Sequence, residues 1–426
     1  MSSTTTSRFR CLVLGEEPLA TACADVLLER GHHLAGLVTN NAAMKQWARE
    51  RGVEVVERAH YGEVMKRGDV DVLFSITHPA IIKPEHFKLA RVDAVNFHDG
   101  PLPRYAGIHG SAWALLRGEK RHAIVWHRIA EGIDTGRILE RRDVDIDDRE
   151  TSLSLNIKNA SLALDAFKAV IEKLEKHGPQ KGDAQPDVER LVFSRFDRPD
   201  ALGTLDFEMP AAALDRVVRA CDWGAYVNRF AVAKIVHRPS SASSTSSTSS
   251  TSGPALERVL VVKEATAIER TGAPGTILEA DHKRIVVACG EGALRIERVS
   301  TVRGVDIALD EALSVLDVEV GDRLVDPSRA ARHELNRALA EGEPFFVKRL
   351  EKLEPPALPF APGVESAQAA RGPADVHALP LPELRATFAD DIEAAAVAAF
   401  SFVVGSLCDK DDVHCALVDH TARKRL

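Results

Sequence analysis

Within the stretch NFHDGPLPRYAG, Asn96 to Gly107, an amide, an imidazole and a carboxylate fall inside four residues, and two prolines stiffen the loop behind them. The stretch follows the apolar run VDAV, so an extended backbone sends Asn96 and His98 to one side and Phe97 to the other. In the loop, Pro101 and Pro103 fix φ, while Gly100 and Gly107 permit a ligand close to the backbone. Further along, EGIDTG sets Asp134 between Gly132 and Gly136. Alone, an Asp held by glycines reads as a turn residue. With Asn96 and His98 at the ends of neighbouring strands it completes a chemical set: an amide to stabilise an oxyanion, an imidazole to handle a proton, and a carboxylate to orient or charge it. His109, His122 and His127 read as hydrogen-bonded core residues or supporting groups, and Trp113, Trp126 and Cys11 as packing.

These residues need a scaffold. RFRCLVLG reads as a strand, PLATACADVLLERG as a helix ended by Gly31, and HHLAGLVTN as a second strand. Helix AAMKQWARERG, strand VEVVE and buried strand DVDVLFSIT continue the alternation, which predicts a parallel sheet with helices on both faces and ligands at the carboxyl ends of its strands. HGSAWALLRG then reads as a helix, RHAIVWHRI as a strand, GIDTGRILERRDVDI as a loop entering another strand, and SLSL…EKHG as a long amphipathic helix ended by Gly178. The first turn, LGEEPLA, lacks the GxGxxG pattern that wraps a pyrophosphate, so NAD is not expected.

After a mixed passage, the tract SSASSTSSTSSTSGP (240–254) is too polar to pack and reads as a linker. Beyond it, RVLVVKEATAI, GTILEA, RIVVAC and ALRIERV are four closely spaced strands, which suggests a small barrel or sandwich. The expected organisation is 1–180 as an α/β domain, 181–254 as a connecting segment, 255–327 as the small β domain and 328–426 as a helical tail.

The chain has 426 residues and a formal net charge of −8, which offers no general attraction to phosphate backbones or anionic lipid. Nucleic acid and membrane are therefore not favoured as partners. Six cysteines without a CxxC pair read as reduced thiols, no HExxH-type ligand cluster calls for a metal, and the start MSSTTTSRFR has no apolar signal core, so a cytoplasmic location is expected.

Taken in order, NFHDGPLPRYAG, SAWALLRGE, WHRI and GIDTGRIL resemble the formyltransferase family that draws its formyl group from 10-formyltetrahydrofolate. The likeness spans residues 9 to 178, and residues 255–325 resemble the OB-like C-terminal domain that these enzymes often carry. The resemblance implies a Rossmann-like catalytic domain with Asn96, His98 and Asp134 as the catalytic trio and no metal. It also implies a folate flanked by Phe74, Ser75, Ile76, His78, Gly100, Pro101, Leu102, Pro103 and Gly132. Where many members have Ser-Leu-Leu-Pro, this chain has Gly100-Pro101-Leu102-Pro103, which looks like the variants attached to peptide or polyketide assembly lines.

For the acceptor, the connection TNNAAMKQWARERG has no Lys/Arg cluster to hold an acceptor stem, which disfavours methionyl-tRNA. EGEPFFVKRLEKLEPPALPF resembles the opening of a nonribosomal peptide synthetase module, and LPLPELRATFADDIEAAAVAAFSFVVGSL reads as its continuation. The expected acceptor is thus the amino group of a free or carrier-tethered amino acid, with a synthetase module as a possible partner. An amino-sugar nucleotide, methionyl-tRNA, hydrolysis of the formyl-folate, and a scaffold without turnover are the alternatives.

Overall fold

The computed structural model describes residues 8–226, 228–239 and 257–350. The chain forms two compact units, Met1–Arg337 and Ala338–Leu426, and the described part of the second is helical. The Ser/Thr tract, the second half of the synthetase-like segment (351–360) and its expected continuation LPLPELRATFADDIEAAAVAAFSFVVGSL lie outside the described residues.

The first unit opens as β1 (Arg10–Leu14), α1 (Pro18–Glu29), β2 (His33–Val38), α2 (Ala42–Glu50), β3 (Val55–Val56), α3 (Tyr61–Lys66) and β4 (Val72–Ser75). It continues with α4 (Pro84–Phe87), β5 (Asp93–His98), β6 (Tyr105–Gly107), α5 (Gly110–Leu116), β7 (Arg121–Arg128), β8 (Ile138–Asp145) and α6 (Ser152–His177). Seven strands make one sheet in the order β3-β2-β1-β4-β5-β7-β8. Alternation along β1 sends Cys11 and Val13 to a core shared with α1, α2 and α6, and Leu12 and Leu14 to a core shared with α3 and α4. Both faces of the inner parallel strands are covered, so β1, β2 and β4 are largely apolar, as in parallel sheets generally.

The parallel reading holds from β3 to β5, but β7 and β8 run antiparallel. The connection between them, residues 129–137, is too short for the crossover that parallel pairing needs. At the first turn, a Cβ on Gly15 would stand 2.4 Å from Ala20 Cβ and 2.5 Å from the Ile76 carbonyl oxygen, so close packing explains that glycine.

Helix α6 starts at a capping box formed by Thr151 and Ser154. It clamps the sheet through Phe167, whose ring meets Phe74 at 5.1 Å and Trp126 at 5.0 Å between centroids. Trp126 is fully buried and donates from Nε1 to the Ala163 carbonyl at 3.0 Å. Trp126→Ala is expected to cost about 3–5 kcal/mol through cavity formation, read as a lower urea midpoint with unchanged slope.

The remaining elements are β9 (Leu191–Phe193), α7 (Ala211–Ala220), β10 (Lys234–His237), β11 (Arg258–Ile268), β12 (Ile277–Ala280), β13 (Ile285–Ala288), β14 (Ala293–Ser300), β15 (Asp306–Ile307), α8 (Leu309–Leu316) and α9 (Arg329–Leu350). The four expected strands β11 to β14 are present in an antiparallel, OB-like sheet ordered β10-β11-β14-β13-β12, with β15 added beside β14. Tyr105, Leu115 and Leu155 share one apolar cluster with Leu214 and Val218 of α7 and with Leu260 and Ile296 of this sheet. Separately, β6 and β9 form a short parallel pair. Among the described residues no helix is long and apolar enough to cross a membrane.

Candidate active site

Strand β5 lies between β4 and β7, with Asn96 level with Ser75 on one side and His127 on the other. Phe97 turns into the core against Trp126, at 5.3 Å between ring centroids, so Asn96 and His98 share the opposite face. Asn96 Nδ2 lies 3.1 Å from His127 Nε2. An amide nitrogen only donates, so Nε2 accepts, and His127 Nδ1–H donates to the Arg128 carbonyl at 2.9 Å. The second Asn96 N–H and its Oδ1 have no protein partner among the described residues.

His98 is buried, and its Nε2–H donates to the Tyr105 carbonyl. Its Nδ1 lies 3.6 Å from Asp134 Oδ2, which also accepts the Gly107 N–H at 2.8 Å. Asp134 Oδ1 stands 3.5 Å from His127 Nε2. Burial pushes the Asp134 carboxyl up, but the charge of His98 and the Gly107 N–H outweigh that and hold it well below the usual carboxylate range. Asp134 is therefore ionised at neutral pH.

The loop that carries Asp134 is pinned from several directions. Asp134 itself has φ +50°. A Cβ on Gly136 would stand 1.6 Å from the Arg128 carbonyl oxygen, so only glycine fits there. Gln185 Nε2 donates to the carbonyls of Asp134 at 2.7 Å and Gly136 at 2.8 Å, and Arg190 donates to the Ile133 carbonyl. The three expected side chains are thus brought together, His127 linking Asn96 to Asp134 and Asp134 facing His98.

Residues 22–171 match the family model described as formyl transferase, and residues 200–311 match that of the formyl transferase C-terminal domain. The chain belongs to the formyltransferase family. The methionyl-tRNA formyltransferase of Burkholderia thailandensis is 27% identical over 309 residues, which is 70% of this chain and 87% of that protein. The GDP-perosamine N-formyltransferase of Brucella melitensis is 26% identical over 225 residues, 50% of this chain and 84% of that one. In fold the chain is similar to the N-formyltransferase from Helicobacter canadensis in complex with folinic acid and dTDP-3-aminofucose. The TM-score is 0.51 at 16% identity, covering 69% of this chain and 100% of that one. The formyltransferase is accordingly an enzyme that transfers formyl groups.

The residues expected around a folate divide into two groups in the formyltransferase. The side chains of Phe74 and Ile76 are fully buried in the core beneath α6, so these two present only backbone to a ligand, because alternation turns them away from the face of Asn96. Leu102 is likewise buried, with Ala106, Val125 and Ile138. Ser75 is buried level with Asn96, His78 and Pro101 are half-buried, and Gly132 is exposed. Gly100 is closed in: a Cβ there would stand 2.7 Å from the Tyr105 carbonyl oxygen and 2.9 Å from His98 Nε2. Burial, reinforced by the charge of Arg58 and opposed by Glu16, pushes the His78 imidazole down to about 4. Its Nδ1 is buried without a protein partner among the described residues. Among the described residues no group of three or more His, Cys, Asp or Glu is placed to hold a metal ion.

Sequence reasoning did not single out Gln185 or Arg190, whose signal is only spatial, and it left His127 as either a core residue or a supporting group.

Proposed function

We propose that this formyltransferase moves the formyl group of 10-formyltetrahydrofolate to a primary amine, with Asn96, His98 and Asp134 as its catalytic groups, on a catalytic domain formed by residues 1–180. The convergence of amide, imidazole and ionised carboxylate at the end of β5 carries this reading. The folate supplies a formyl carbon open to attack by an amine. Asn96 directs an N–H at the formyl oxygen as charge develops there, a contribution of about 2.7–4 kcal/mol for one such donor. Asp134 and His98 Nδ1, 3.6 Å apart, take up the proton given up by the amine and return it to the folate nitrogen that leaves when its bond to the formyl carbon breaks. Both nitrogens of His98 face protein oxygens, so a direct hydrogen bond from His98 to the formyl oxygen requires the ring to turn. The unpartnered His78 Nδ1 and the exposed Ile81, three residues on, suit a flat heterocycle with a hydrogen-bonding edge.

The acceptor we favour is the α-amino group of an aminoacyl unit. The likeness to methionyl-tRNA formyltransferase, which runs over 70% of this chain, supports it. Nucleic acid thereby returns as a candidate carrier despite the net charge of −8. A carrier-protein thioester has in its favour the Gly100–Pro103 loop and the segment from Glu341, about half of which lies outside the described residues. The likeness to GDP-perosamine N-formyltransferase favours a second acceptor, the amine of a nucleotide-linked amino sugar.

The test is tetrahydrofolate release from 10-formyltetrahydrofolate, followed spectroscopically with the purified chain against methionyl-tRNA, carrier-bound aminoacyl groups, amino-sugar nucleotides and buffer. Release with an aminoacyl acceptor is expected. Release with the sugar nucleotides alone selects the second acceptor, release in buffer replaces transfer by hydrolysis, and no release with any of them sinks the proposal.

A further inference from the structure

The proposed chemistry uses three side chains, and a fourth, His127, touches two of them. Its Nε2 lies 3.1 Å from Asn96 Nδ2 and 3.5 Å from Asp134 Oδ1, and its Nδ1 lies 2.9 Å from the Arg128 carbonyl. The side chain is 3% exposed and sits on β7 directly opposite Asn96. An amide nitrogen offers only hydrogens and a carbonyl oxygen only lone pairs. Those two contacts therefore select the neutral ring with its proton on Nδ1. The lone pair left on Nε2 in turn admits only the N–H end of the Asn96 amide.

We infer that His127 is a positioning residue that sets the direction of the Asn96 amide, holding its nitrogen against the His127 ring with the second N–H presented to the formyl oxygen. The inference rests on the role proposed above for Asn96. If the amide turned over, Oδ1 would take the place of the nitrogen, and a lone pair would face a developing oxyanion. The neighbouring histidines do not supply this hold: His98 is bound to the Tyr105 carbonyl, and His122 Nε2–H donates to the Asp99 carbonyl at 2.8 Å. The signal was hidden in the sequence because it lies in strand register. His127 meets Asn96 only once β7 folds back antiparallel beside β5.

Two variants of the full chain test it. His127→Phe keeps a flat ring in a buried place but removes the acceptor, and His127→Gln restores an acceptor on a side chain of similar reach. In His127→Phe, kcat is expected to fall roughly 100-fold, the lower end for loss of one oxyanion donor, with KM for 10-formyltetrahydrofolate little changed. His127→Gln is expected to recover most of that loss, which a purely structural role for the ring would not produce. The side-chain amide resonance of Asn96, identified by its disappearance in Asn96→Asp, is expected to move in His127→Phe and to stay near the parent position in His127→Gln. Parent-like kcat in His127→Phe would overturn the inference. So would a His127→Gln variant as slow as His127→Phe with the Asn96 resonance unmoved in both. The resonance is read without turnover, so a chain inactive toward every acceptor would sink the proposed function, while the hold of His127 on Asn96 would still be decided by the spectrum.

Discussion

Replacing Asn96 by alanine is expected to lower kcat by roughly 10²- to 10³-fold, equivalent to about 2.7–4 kcal/mol of lost transition-state stabilisation. Asn96 is half-buried at the end of β5, and its side chain makes one described contact with protein, the bond to His127. Folding should therefore suffer by no more than about 1 kcal/mol, the usual net value of one hydrogen bond. The loss should appear in kcat with KM for the folate nearly constant, because the bond in question forms fully only as charge develops on the formyl oxygen. Asn96→Asp makes the same point with less change of shape. It removes both N–H donors and sets a second carboxylate close to Asp134, so it should be at least as slow as Asn96→Ala. Single-turnover rates with saturating 10-formyltetrahydrofolate measure both variants, and parent-like rates in both would remove Asn96 from the chemistry.

What was legible in the sequence follows from the range of each interaction. Strands such as RCLVL and VLFS announce themselves because burial on both faces makes them apolar throughout. Helix α6 is legible from its apolar stripe and the Gly178 stop. Asn96, His98 and Asp134 stand out because two of them sit in one local motif and the third between glycines. The rest depends on contacts distant in sequence. β6 and β9 are three residues each and pair only after the intervening α6 has returned the chain. β10 and β15 are too short to show a period, and β15 exists only as a partner of β14. The antiparallel turn of β7 and β8 could be argued from the short loop between them, yet the strand and helix alternation before it suggested otherwise. The clamp of Gln185 on the Asp134 loop has no local pattern at all, since one side chain reaches two carbonyls roughly fifty residues back.

Asp134→Asn separates the charge of the carboxylate from its shape. The amide oxygen can still accept the Gly107 N–H, now made at 2.8 Å, so the loop keeps its anchor while the negative charge beside His98 is lost. Without that charge the proton of the attacking amine loses its destination. A fall in kcat of about 10²- to 10⁴-fold is expected, the range for loss of a positioned proton-transfer group. Stability should respond with a definite sign. The folded-state pKa of Asp134 lies below its unfolded value, so the ionised form contributes stability that is fully present above the unfolded pKa of about 3.9 and is lost as pH falls through the folded value. The melting temperature of the parent should therefore exceed that of Asp134→Asn by a constant margin near neutral pH. That margin should close only below about pH 4, where the unfolded chain takes up a proton that the folded carboxylate still resists. A margin that instead closed between pH 6 and 8 would place the stabilising titration on a histidine rather than on Asp134. Its absence at every pH would mean that the charge of Asp134 is balanced by its burial, leaving the kinetic loss as the sole measure of the pair it forms with His98.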